Sequence, residues 1–296
     1  MSVLYISDLD GTLLARNGRL SRFSRTTLQE LLAEGLPFSV ASARSVASIR
    51  AVLDGLPLEL PVIELNGALI SDLHTGRHEV INAIAPEVAE DIYGLLVARG
   101  HGPIIATFDG QVDCLYHSAL ANEGMQWYVA DVTAQANRAV RCPDDLADAL
   151  ADRVLCITVI GRYGPLAELE LALGERHGAS VEMHLFENPY SRGWYWLTVH
   201  DRRATKAQGV RTLVEMCGLR TEELVVFGDE VNDIKIFEIA AHAVAVENAH
   251  PRLKSVATHV IGSNEADSVA KYMRAHWASR ASAPANGGKA EVNALE

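Results

Sequence analysis

No stretch of this 296-residue chain approaches the roughly 20 consecutive apolar residues that a membrane-spanning helix needs. The N-terminus, Met-Ser-Val-Leu-Tyr-Ile-Ser-Asp, also lacks the basic region and long apolar core of a secretory signal. The expectation is a cytoplasmic protein with no membrane partner. Cysteine is scarce: Cys114, Cys142, Cys156 and Cys217 lie far apart without CxxC spacing, which argues against a zinc site or a disulfide framework and for buried thiols. Positive charge is short as well. With 26 Lys and Arg against 38 Asp and Glu the formal charge is −12, so the dense basic surface required for non-specific nucleic-acid binding is missing. That deficit leaves an anionic substrate open, because a few local donors and a bound cation suffice to capture a phosphate.

What the chain has is a globular composition, 49% apolar and 22% charged, and a length above the usual single-domain size. Short apolar runs alternate with helical stripes from the start: Val3–Ser7, Thr27–Glu34 closed by Gly35, Pro37–Ser42, Val46–Leu53 and Pro61–Leu65. Leu28, Leu31 and Leu32 fall at i, i+3, i+4, and Val46, Ile49 and Leu53 make a comparable stripe. This βαβαβ rhythm predicts an α/β fold with a parallel sheet covered by helices. It returns late in the chain with strand Leu224–Phe227, helix Val231–Ile239, strand Ala243–Val246 and helix Ala266–Trp277.

Between the two halves lies a self-contained series. It comprises helix Pro86–Arg99, strands near Pro103–Phe108 and Val112–Tyr116, strand Val154–Ile160, helix Pro165–His177, and strands Ser180–Phe186 and Trp194–Val199. The expected organisation is a discontinuous core domain of residues 1–84 and 201–277, with an inserted α/β domain of residues 85–200. Hinges are expected near Ile84–Pro86 and Val199–Arg203. Residues 278–296, rich in Ala, Ser, Gly, Asn and Pro without periodicity, are expected to be disordered. Trp194, Tyr195 and Trp196 are expected to pack one face of the last inserted strand.

Asp8-Leu9-Asp10-Gly11-Thr12 follows directly on an apolar strand. Side chains at i and i+2 share a strand face, so Asp8 and Asp10 are expected to leave the carboxyl edge of the sheet side by side. Ligands of open parallel sheets bind at that edge. Two adjacent carboxylates repel unless a cation or a shared proton joins them. Gly11 permits a tight turn that brings backbone N–H groups toward an anion. An ordinary acidic turn ending a strand would read the same way.

The second strand ends in Ala41-Ser42-Ala43-Arg44, placing the Ser42 hydroxyl at the same edge, either to meet a phosphoryl oxygen or to cap the next helix. Arg44 is either a second phosphate contact or the partner of a surface acid. Lys206 opens a helix, where the macrodipole disfavours a cation, so it either meets a nearby anion or is a solvated side chain. Asp229 and Asp233 of Gly228-Asp229-Glu230-Val231-Asn232-Asp233 stand four apart after another strand and either turn toward one cation or simply suit the start of a helix.

Taken in order, Asp8-Leu9-Asp10-Gly11-Thr12, Ser42, Lys206 and Gly228-Asp229-x-x-Asn232-Asp233 resemble the four motifs of the haloacid dehalogenase (HAD) superfamily of phosphohydrolases. The long insertion falls between Ser42 and Lys206, which is similar to the Cof-like subfamily with a type IIB α/β cap. Asn66-Gly67-Ala68 and Asn248-Ala249 resemble that subfamily too, so the likeness covers about residues 1–277. It implies a Rossmann-like core and a Mg2+-dependent phosphatase acting on a small phosphate ester, with sugar phosphates first and phosphorylated cofactors behind. Asp8 would be nucleophile, Asp10 general acid and base, and Ser42 and Lys206 would hold the phosphoryl group. Asp8, Asp10 through its backbone carbonyl, Asp229 and Asp233 would form the metal site, while Gly11, Thr12, Arg44, Asn66 and Asn232 would line the substrate pocket. From the inserted domain Asn188, Tyr190 and Arg192, on a turn before its last strand, are the residues expected to reach the leaving group, unless that turn is a plain surface loop. Ala43, Glu230, Lys235 and Ile236 depart from the usual pattern, which bears on loop shape and substrate preference. The rivals are a phosphomutase or phosphotransferase, and a non-catalytic binding protein on the same fold. A monomer or weak homodimer is the default assembly.

Overall fold

The computed structural model describes residues 3–134, 138–188, 191–218 and 224–281. The chain opens with β1 (Leu4–Ser7), α1 (Arg22–Ala33), β2 (Phe38–Val40), α2 (Val46–Leu53), β3 (Val62–Glu64), β4 (Leu69–Ser71) and β5 (His78–Ile81). There follow α3 (Pro86–Ala98), β6 (Ile104–Phe108), β7 (Asp113–His117), α4 (Glu123–Ala134), β8 (Ala139–Arg141), β9 (Arg153–Gly161), α5 (Tyr163–His177), β10 (Val181–Glu187) and β11 (Tyr195–Asp201). The chain then continues through α6 (Lys206–Met216), β12 (Leu224–Gly228), α7 (Ile234–Phe237), β13 (His242–Ala245), α8 (Pro251–Lys254), β14 (His259–Val260) and α9 (Ser268–Ala281).

The first and last portions build one parallel sheet in the order β14-β13-β12-β1-β2. Strand β1 lies between β12 and β2, with Tyr5, Phe38 and Phe227 buried among residues of both portions. Strands hidden on both faces need continuous apolar sequence, which Leu224–Phe227 and Ala243–Val246 supply. Beside this sheet β3, β4 and β5 form a small antiparallel sheet, tied to the end of β2 by a bridge between Ala41 and Ile63. The intervening residues make a separate six-stranded sheet, β10-β11-β9-β6-β7-β8, antiparallel except for β7 beside β8.

α3 and α5 cover one face of the second sheet, burying Ile92, Leu96, Leu166, Leu169 and Leu173 against Ile105, Ile157, Leu197 and Val199. α4 packs on part of the other face through Met125, Val129 and Val132. A small apolar cluster of Leu65, Ala68, Leu69, Leu155 and Ala204 joins the two sheets where the chain crosses between them. Among the described residues no helix is long and apolar enough to cross a membrane.

Several expectations are corrected. α1 starts five residues earlier than its leucine stripe suggested, because Ser21 caps it by accepting a hydrogen bond from the Ser24 N–H at 2.9 Å. The helix expected over Val231–Ile239 is a single tight turn, Val231–Asp233, followed by the short α7. α4 and β8 were not anticipated. Trp194, Tyr195 and Trp196 do not share a face: strand alternation sends Trp196 into the cluster under α4 and Tyr195 to the opposite side, against Tyr163 at 5.3 Å. α9 continues to Ala281, past the expected end at Trp277, and residues 282–296 lie outside the described residues.

Candidate active site

β1 ends at Ser7, and Asp8 stands at its carboxyl edge with only 6% of its surface exposed. The chain then turns through Leu9–Leu13, where Gly11 takes φ +76°. That conformation and the space around it both demand glycine. A Cβ on Gly11 would stand 2.1 Å from Asp229 Oδ2. Thr12, buried behind the turn, donates its hydroxyl to Asp229 Oδ1 at 2.9 Å. Asn248 fixes the same turn from outside, donating from Nδ2 to the Gly11 carbonyl at 2.7 Å.

β12 delivers Asp229 next to Asp8, and the turn after it folds Asp233 back beneath them, fully buried. Asp233 Oδ2 accepts the backbone N–H groups of Asp229 and Glu230, and a Cβ on Gly228 would fall 2.6 Å from the same oxygen. Glu230 caps this turn through its own side chain. One carboxylate oxygen from each of Asp8, Asp229 and Asp233 lies within 4.8 Å of the others.

Lys206 is the first residue of α6, capped by Thr205, and its side chain is 2% exposed. Its Nζ lies 2.7 Å from Asp8 Oδ1 and 2.9 Å from Asp233 Oδ1. The helix start approaches so closely because Gly67 has no side chain; a Cβ there would sit 2.4 Å from the Thr205 carbonyl.

Burial raises Asp8 above the ordinary carboxylate range, with Asp233 adding to the shift and Lys206 opposing it. Asp229 is pushed up to about 9 by burial and by the charges of Asp8 and Asp233. Burial works against the charge of Lys206, but Asp233 and Asp8 outweigh it and hold its pKa above the usual lysine value. Three acids face one ammonium, and once Asp229 gives up its proton they hold an excess of negative charge that a cation can neutralise. Their hard oxygen donors fit Mg2+.

Ser42 is 1% exposed and accepts the Arg44 N–H through Oγ at 3.2 Å. It is not the cap of α2; Ser45 is, accepting from the Ser48 N–H. Asn66 occupies a left-handed turn beside Leu65 (φ 57° and 49°), and its Oδ1 accepts from Asn232 Nδ2 at 3.4 Å. The Asn66 N–H is bonded to the Ser42 carbonyl at 3.0 Å, which ties the two loops together.

Asp10 does not join the acidic cluster. Its carboxylate is held by Arg44 in a two-pronged pair, Nε to Oδ2 at 2.7 Å and Nη2 to Oδ1 at 2.6 Å. The reason is the turn at Leu9–Leu13, which breaks the strand geometry that would have set Asp8 and Asp10 side by side. The Asp10 carboxylate is therefore not beside Asp8 as expected, which leaves its backbone carbonyl as the atom it could offer a metal, and Arg44 takes the second of its two expected roles, the partner of an acid.

Asn188 and Arg192 are not brought to the cluster either. They lie on the turn between β10 and β11, roughly 20 Å along the strand from Glu182 at the usual rise per residue. Tyr190 lies outside the described residues. Glu182 pairs with Lys235 of α7 at 2.8 Å, so this end of β10, not the turn, meets the core. Sequence reading marked Lys235 as a departure without a role; its partner shows one.

An open parallel sheet carrying an acid-lysine cluster at its carboxyl edge, with a second α/β sheet inserted behind it, defines a class of α/β hydrolases. Residues 5–273 match the haloacid dehalogenase-like hydrolase family, and the chain belongs to that family. It is 22% identical over 273 residues to the 5-amino-6-(5-phospho-D-ribitylamino)uracil phosphatase YitU of Bacillus subtilis, covering 91% of this chain and 96% of that protein. To the pyridoxal phosphate phosphatase YbhA of Escherichia coli it is 26% identical over 284 residues, covering 91% and 96%. A crystal structure from Thermotoga maritima superposes with a TM-score of 0.75 at 27% identity, covering 93% of this chain and 97% of that one.

Proposed function

We propose that this chain is a phosphoric monoester hydrolase that uses Asp8 as nucleophile and Mg2+ as cofactor, and that the six-stranded sheet with its helices is a cap over the active site. The observation that carries the reading is the bond from Lys206 Nζ to both Asp8 and Asp233 in a buried acidic cluster. A lysine so held keeps Asp8 ionised and oriented, and leaves N–H capacity for a phosphoryl oxygen.

Asp8 attacks phosphorus in line, forming the aspartyl–phosphate bond as the ester P–O bond breaks. Asp10 gives its proton to the departing alkoxide, then takes one from the water that attacks the phosphoenzyme, returning Asp8 and releasing inorganic phosphate. For the first of these steps Asp10 must leave its two-pronged pair with Arg44, which occupies both of its carboxylate oxygens. Ser42 Oγ and Lys206 Nζ donate to the phosphoryl oxygens. Asp8, Asp229 and Asp233 would hold Mg2+, whose positive charge lets an anionic carboxylate approach an anionic phosphate.

The relatives named above act on a phosphorylated ribitylaminouracil and on pyridoxal phosphate. Small soluble phosphomonoesters of that kind are the substrate class proposed here. The test is phosphate release from sugar phosphates, nucleotides and phosphorylated cofactors, with and without Mg2+, for wild type and Asp8→Asn. Release that needs Mg2+ and vanishes in Asp8→Asn supports the reading; release that persists in Asp8→Asn overturns it.

A further inference from the structure

At the far end of β3, Glu64 is completely buried. Its carboxylate accepts the backbone N–H of Val46, the first residue of α2, and the hydroxyl of Ser71 on β4. Ser71 Oγ lies 2.7 Å from His78 Nδ1 on β5, and His78 Nε2 lies 3.0 Å from Asp113 Oδ1 on β7 of the second sheet. The His78 side chain is 5% exposed and meets the Phe108 ring of β6 edge-on at 4.8 Å. A continuous buried chain of polar groups thus crosses from one sheet to the other.

Burial raises the Glu64 pKa, and the bonds from Ser71 and the Val46 N–H oppose that rise. With Glu64 ionised, Ser71 gives its one O–H to that carboxylate and can only accept from Nδ1. Asp113 accepts from Nε2. Both ring nitrogens then carry hydrogen, and the imidazolium stands between two carboxylates. The charged groups facing it are Glu64 from β3, Asp113 from β7 and Arg138 from just ahead of β8; Ser71 of β4 and Phe108 of β6 are neutral. Burial pulls the His78 pKa down, Asp113 and Glu64 outweigh it, and Arg138 opposes them, with a net rise.

Two members of this bridge adjoin segments that lead to the site and to the crossing. Glu64 immediately precedes the strained Leu65–Asn66 turn and anchors the start of α2 behind Ser42. His78 begins the strand that runs into the crossing at residues 82–85. We infer that His78 is a positioning residue, whose imidazolium fastens the β6–β7 arm of the cap to the Glu64 end of the core and fixes the cap's seat over the active site. Its effect on turnover rests on the phosphatase reading above; the bridge itself does not.

A group whose pKa is raised in the folded protein contributes stability below its unfolded value and loses it as pH rises through the folded value. The fastening is therefore intact near pH 6 and released at alkaline pH. The test is hydrogen–deuterium exchange of residues 78–85 in the full chain from pH 6 to 9.5, normalised to intrinsic exchange. Wild type, Asp113→Asn and His78→Gln are compared, together with kcat and KM for the ester turned over best.

Wild-type protection should fall at least tenfold across the His78 titration, while Asp113→Asn begins at the lower protection and shows no step. His78→Gln should keep partial protection without a step. For Asp113→Asn KM should rise about fivefold with kcat within twofold. Equal protection and an equal pH course in wild type and Asp113→Asn would overturn the bridge. Altered exchange with unchanged KM would overturn its role in seating the cap. If no ester is turned over, the phosphatase reading fails and the exchange result still decides the bridge.

Discussion

Gly11 and Asp229 are packed so closely that a single methyl group separates a working turn from a broken one: a Cβ at Gly11 would stand 2.1 Å from Asp229 Oδ2. The collision falls on a carboxylate that also accepts the Thr12 hydroxyl at 2.9 Å, so it has no slack to retreat into. Gly11→Ala must also hold φ near +76°, which costs about 1–3 kcal/mol for a residue with a side chain. The expected result is a lower melting temperature. A displacement of about 1 Å at Asp229 should in addition lower kcat/KM roughly 10²-fold. Wild-type activity in Gly11→Ala would refute the assignment of Asp229 to the site.

Lys206→Met tests the ammonium at the centre of the cluster. The substitution keeps the packing volume and removes the only cation bonded to Asp8 and Asp233 among the described residues. Breaking a buried ion pair from one side costs about 3–5 kcal/mol, to be read from urea unfolding at neutral pH without metal. Turnover should fall about 10²–10³-fold, the usual loss when a donor to developing charge is removed. Added Mg2+ should restore part of the stability and none of the rate.

Asp229 supplies a pH prediction. Its pKa, near 3.8 unfolded, is about 9 in the fold without metal because of burial and the charges of Asp8 and Asp233. The folded protein binds that proton more tightly than the unfolded chain, so metal-free stability is highest below the unfolded value. It falls as pH rises through the folded one. Chelator-treated protein should therefore melt progressively lower from pH 5 to pH 9, and Asp229→Asn should flatten the curve. Mg2+ competes with the same proton, so its calorimetric affinity should climb with pH and its binding should release protons.

The sheet and the acids Asp8, Asp229 and Asp233 were readable because each follows from a short-range rule: an apolar run, then acids at its carboxyl end. Lys206 stood out only as a cation at a helix start, and its meeting with those acids was implied by the family resemblance. The Arg44–Asp10 pair was not readable, since it depends on how the turn at Gly11 rotates Asp10 out of the strand plane. Glu64, His78 and Asp113 were equally hidden; each is an unremarkable polar residue in sequence, and only the stacking of two sheets joins them. The expectation for Asn188 and Arg192 failed on direction. Pairing shows which end of β10 meets the core, and a strand read alone has no preferred end.

That register makes the last prediction. His184 on β10 stands opposite Thr198 on β11, which stands opposite Thr158 on β9, so three polar side chains form a row on one face. The other face buries Leu197, Val199 and Ile157 under α3 and α5. Glu182 on the same face pairs with Lys235 of α7, and the charges of Lys235 and Lys206 both bear on His184. Burial, then His200, pushes His184 down to about 4, so the row is uncharged at neutral pH; the Thr198 hydroxyl donates to the His184 carbonyl at 3.5 Å, a long bond that a ligand oxygen can replace. A hydroxyl- or amide-bearing leaving group suits it better than a second phosphate. Thr198→Val should raise KM about fivefold for the ester used best, the loss of one neutral hydrogen bond, and leave a small aryl phosphate unaffected. Equal losses on both substrates would place Thr198 in the general support of the fold; a selective loss assigns the recognition of the leaving group to this row.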